Sequence, residues 1–107
     1  MEPRLTARLW VDAYLTRLRL RDIPAFVTCH GDDTAGIVWV CLNTLDGRAT
    51  LLARRYDFTT DATRWDVVIS DTEQLVNDRI ASERRADPDL WVIEVEDRGG
   101  QHLLGEM

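Results

Sequence analysis

The stretch from Arg84 to Glu96 holds the densest set of side chains able to do chemistry. Asp87 and Asp89 flank the rigid Pro88, and Glu94 and Glu96 follow on the next segment. Four carboxylates in that pattern suit a hard divalent cation, which takes oxygen ligands. Arg84 and Arg85 suit an anion instead, held by bidentate guanidinium bonds, with Trp91 completing that candidate ligand set. The same residues also have a purely structural reading. Arginines late in a helix complement the negative end of its dipole. Asp-Pro-Asp stops a helix and turns the chain. Glu94 and Glu96 share one strand face that can simply meet water. The residue pattern alone leaves both readings open.

Other chemistry is thinner. Cys29, His30, Cys41 and the distant His102 do not have zinc-site spacing. Cys41 lies in the most apolar run, where an inert buried thiol is expected, and His30 beside Gly31 is expected in a turn. Cys29 and His30 are neighbours in a strand, so they point to opposite faces and cannot pair for nucleophilic catalysis. Pro88-Asp89 followed by Glu94-Val95-Glu96 is similar to the carboxylate motif of restriction-endonuclease-like nucleases. It departs from that motif in lacking Lys and in placing the carboxylates on the last strand.

Composition narrows the classes further. The 107 residues suit one domain spanning 1–107, with enough chain to bury its own core. All 13 basic residues are Arg, so Schiff-base, P-loop and lysine-base chemistry are excluded. Acidic residues number 19 and the net charge is -6, which disfavours nucleic acid and anionic membranes. The longest apolar run, Ala35 to Leu42, is far shorter than the ~20 residues of a membrane helix. With no apolar signal core at the N-terminus, a cytoplasmic location with reduced cysteines is expected.

The elements that must position these residues follow from periodicity. A helix is predicted over 5–21, just after Pro3, with Val11, Tyr14, Leu15 and Leu18 on one apolar arc and Leu9, Ala13 and Leu20 on another. So broad an apolar face suggests packing on a sheet and contact with a second partner. Strands are predicted over 25–30, 37–43, 49–56 and 64–70. The second is apolar on both pleat faces, as a central covered strand must be. Asp46-Gly47 signals a hairpin. In the strand over 64–70, Trp65, Val67 and Ile69 alternate with Asp66, Val68 and Ser70. A second helix is expected from a Ser70–Glu73 capping box to about Ala86, its thin apolar face formed by Leu75, Val76 and Ile80. A last strand over 90–96 places Trp91, Ile93 and Val95 on one face, and a short tail, 101–107, ends the chain. The order α-β-β-β-β-α-β reads as an α+β fold, an antiparallel or mixed sheet with two helices packed on it.

Two stretches carry a family resemblance: Arg4 to Ala13, and Glu83 to Asp97 with its Asp87-Pro88-Asp89-Leu90-Trp91 core. With Gly31, Asp32 and Gly36 between them, the chain resembles the alphaproteobacterial domain of unknown function 1491. The resemblance implies a bacterial protein and supplies no catalytic residues. Trp10, Trp39, Trp65 and Trp91 are expected in the core, with one of them available to a partner. Arg54, Arg55, Arg79, Arg84 and Arg85 are candidates for an Arg-lined surface. The expectation is an interaction module without a cofactor, a homodimer or bound to another protein. The alternative is a metal-dependent or anion-binding enzyme built on Asp87, Asp89, Glu94 and Glu96 with Arg84 or Arg85.

Overall fold

The computed structural model describes residues 5–107, so Pro3 lies outside it. Helix α1 (Ala7–Leu20) is followed by strands β1 (Ala25–Cys29), β2 (Val38–Asn43), β3 (Arg48–Asp57) and β4 (Ala62–Thr72). Helix α2 (Glu73–Ala86), β5 (Trp91–Glu96) and a 3-10 turn (Leu104–Glu106) complete the order. The α+β expectation and its element order hold. The sheet is mixed, ordered β1-β5-β2-β3-β4, with β2 and β5 parallel and every other pair antiparallel. No helix among the described residues is long and apolar enough to cross a membrane.

The two helices lie on opposite faces of the sheet. Trp10, Val11, Tyr14 and Leu18 of α1 pack on Val38, Val40, Leu42, Leu52, Ile93 and Val95. On the other face Val76 of α2, with Ile80 against it, meets Trp39, Cys41, Ala49, Leu51 and Val92. β2 is central, and all six of its residues are buried. Its doubly apolar sequence therefore has a direct cause: each pleat face feeds a separate core.

Two features of the β4–α2 region differ from the expected ones. Thr72, not Ser70, caps α2: its Oγ1 accepts the Leu75 N–H at 3.3 Å. Ser70 stays in β4, where its hydroxyl meets that of Thr50 at 2.9 Å. β4 runs on to Thr72 because β3 offers partners as far as Arg48. The expected alternation of Trp65, Val67 and Ile69 also breaks. Leu51 pairs with Ile69 and Leu52 with Val67, so Val68 is an extra residue, a β-bulge. The bulge sends Trp65 to the α1 core and turns Val68 and Ile69 together to the α2 core.

The C-terminal tail is part of the α1 core rather than an appendage. Tyr14 donates its hydroxyl hydrogen to the His102 carbonyl at 2.7 Å, and Leu104 is buried beneath it. Arg17 and Arg21 hold Glu106 at 3.4 and 3.2 Å.

The cap assignment predicts that Thr72→Ala destabilises the protein by about 1 kcal/mol. Ser70→Ala should cost clearly less in urea unfolding followed by far-UV circular dichroism.

Candidate functional site

The Arg84–Trp91 corner forms around the loop of residues 30–36. Arg84, at the end of α2, donates to the Leu90 carbonyl at 2.9 Å and to the His30 carbonyl at 3.3 Å. Asp87 caps the same helix, and its carboxylate accepts the Asp89 N–H at 3.1 Å. The Asp89 carbonyl accepts the Asp32 N–H at 3.0 Å. Trp91 is buried, and its indole N–H donates to the Asp32 carbonyl at 2.8 Å. The Asp32 carboxylate in turn accepts the N–H groups of Thr34 and Ala35, shaping the loop. That loop then offers the Thr34 and Asp33 carbonyls to the Ala7 and Arg8 N–H groups, two orphan donors at the start of α1.

Gly31 and Gly36 are required where loop and strand touch. A Cβ on Gly31 would strike the Asp89 carbonyl oxygen and lie 2.5 Å from the Trp91 ring. One on Gly36 would lie 2.6 Å from the same oxygen. The His30 ring leans on Trp91, with centroids 4.1 Å apart, and its Nε2 meets Asp33 at 2.8 Å.

The expected site residues therefore split into separate groups. Arg84, Asp87, Asp89 and Trp91 come together, with Arg84 and Asp87 bonded to backbone. Arg85 is exposed. Glu94 and Glu96 sit farther along β5; Trp91 to Glu94 alone spans about 10 Å of extended chain. They join Glu73 at the other end of the sheet, where Glu73 Oε1 accepts from the buried Asn43 amide at 2.6 Å. Among the described residues, no group of three or more His, Cys, Asp or Glu is arranged to hold a metal ion. Glu94 lies beside Cys41 in the β2–β5 register. Its carboxyl is raised above the ordinary glutamate range, first by desolvation and then by the charges of Glu96 and Glu73. The Cys41 thiol is pushed up to about 12, chiefly by burial, so it is inert at neutral pH.

Two further surfaces lie away from this corner. The outer face of α1 exposes Leu9 by 55% and Leu20 by 80%, with Ala13, Thr16, Asp12 and Arg17 between them. The wheel shows this arc, but not that the sheet takes the other one. The second surface is a groove of about 430 Å³ between α1, the β3–β4 hairpin and the C-terminal turn. Trp10, Trp65, Arg54 and His102 line it. The hairpin register, which the sequence alone does not reveal, sets Arg54 opposite Trp65.

Two helices sandwiching a five-stranded mixed sheet, with Arg84 and Asp87 of the conspicuous corner bonded to backbone, define a small α+β protein. The chain belongs to the family described as Protein of unknown function (DUF1491), whose model matches residues 5–105. It is similar to the crystal structure of a DUF1491 family protein from Caulobacter crescentus CB15. The two share 33% identity at a TM-score of 0.82, over 95% of this chain and 94% of that one. It is also similar to the solution structure of protein Atu0922 from A. tumefaciens, with 25% identity and a TM-score of 0.73 over 88% and 86% of the two chains. No curated protein matches.

The raised Glu94 carboxyl sets a pH dependence. The fold favours its protonated form, so ionisation costs stability as pH climbs from the ordinary glutamate value of about 4.3 through the higher folded value. Glu94→Gln should therefore raise the melting temperature at neutral pH. The gain should vanish in acid, where Glu94 already carries its proton.

Proposed function

We propose that the protein is an interaction module that associates with a second copy of itself through the outer face of α1. The observation carrying this reading is the self-complementary order of that face. Leu9, Ala13, Thr16 and Leu20 recur at spacings of four and three residues, a stripe along one side of the helix. In an antiparallel pairing, Leu9 meets Leu20 of the second copy. That register also sets Ala13 against Thr16, two small side chains that let the helices approach closely. A two-fold contact needs this matching of a surface with itself.

Magnitudes set the strength. Each leucine contributes at most about 1.5–3 kcal/mol on burial, and four meet in the pair. Association costs about 4–15 kcal/mol in lost freedom. The dimer is accordingly weak and concentration-dependent.

Sedimentation equilibrium from about 10 μM to about 1 mM should show reversible dimerisation. Ala13→Glu should abolish it. Leu20→Ala should weaken it. A monomer throughout that range, or a dimer indifferent to these changes, contradicts the proposal.

A further inference from the structure

We infer that the groove walled by Trp10, Trp65 and Arg54 binds a small aromatic anion. Of the four tryptophans, Trp10, Trp39 and Trp91 are buried, while Trp65 is only half-buried and opens onto this groove. Trp10 and Trp65 stand with ring centroids 5.6 Å apart, tilted by 31°, so the groove has an aromatic wall. A flat ring gains contact area and quadrupole attraction against such a wall.

The charge comes from Arg54. It lies directly across from Trp65 in the hairpin, so guanidinium and indole share one face of the sheet. Neighbouring Arg55 and Arg64 pair with Asp66, and Arg64 also with Asp57. Among the described residues Arg54 meets no carboxylate within ion-pair distance. None of the lining side chains is acidic, in a chain whose acidic residues outnumber its basic ones by 19 to 13. His102 adds a neutral donor. Its Nδ1 accepts the Leu104 N–H at 3.0 Å, which leaves the ring proton on Nε2. Burial lowers its pKa and keeps the ring neutral. Aromatic wall, cation and neutral donor together select a ring bearing a carboxylate or phosphate, and the volume lies within the roughly 300–1,000 Å³ of small-molecule sites.

Naphthoate is a suitable probe, with naphthalenemethanol (same ring, no charge) and acetate (same charge, no ring) as controls. Titration followed by the indole N–H signals in ¹H–¹⁵N spectra should show saturable binding of naphthoate. The shifts should centre on Trp10 and Trp65 and spare Trp39 and Trp91. Arg54→Met should weaken binding by about tenfold or more, and Arg54→Lys by less. Thr63→Asp, which adds a carboxylate to the lining, should abolish it. Three results overturn the inference: no saturable binding of naphthoate to the unsubstituted protein, equal affinity for naphthalenemethanol, or shifts centred on Trp39 or Trp91.

Discussion

The fold turns on the seat of Trp91 against the loop of residues 30–36. The indole N–H needs a partner once buried, and the Asp32 carbonyl supplies it. That bond forms only because Gly31 and Gly36 let the loop backbone lie against the start of β5 with no side chain between. Losing the partner would strand a buried polar group at a cost of about 1–3 kcal/mol. Three elements meet at this point. The loop caps the start of α1, Arg84 ties down the end of α2, and the Asp89 carbonyl holds the loop to β5. The layers on both faces of the sheet are thus aligned by one small junction.

This junction accounts for one part of the residues that carry the family resemblance. Gly31, Asp32, Gly36 and the Asp87–Trp91 stretch are distant in sequence and converge in space. Arg84 and Asp87 bond backbone groups, and Asp89 takes part through its own carbonyl and N–H. Function is then to be sought where side chains are not engaged in this way. The α1 stripe and the Trp10–Trp65 groove both meet that condition, one on the outer side of the helix and one at its inner edge.

Much of the architecture was legible where local pattern and burial agree. β2 reads as central because both of its pleat faces are apolar, and both prove to be covered. β5 reads correctly on its Trp91, Ile93 and Val95 face, which packs under α1. Other features depend on pairing, which a single strand does not reveal. The Val68 bulge exists only relative to Leu51 and Leu52, so strict alternation misassigned Ile69. Ser70 and Thr72 are equally good caps in isolation, and the reach of β3 decides between them. The tail gave no periodic signal because its anchor is the Tyr14 hydroxyl, 88 residues away. The corner was visible as a cluster, but its role was not. Carboxylates and guanidinium groups look alike in sequence whether they bind a ligand or the backbone.

The most direct measurement is the stability of Gly31→Ala and Gly36→Ala beside Gly105→Ala, each by chemical denaturation. Gly105 has open space where its Cβ would go, so its substitution should leave the midpoint nearly unchanged. Forcing a methyl into the two junction positions should cost about 1–3 kcal/mol or more at each, with the indole N–H of Trp91 shifting as its bond to Asp32 loosens. Variants at Gly31 and Gly36 that unfold like the parent, with that indole signal unmoved, would contradict the account.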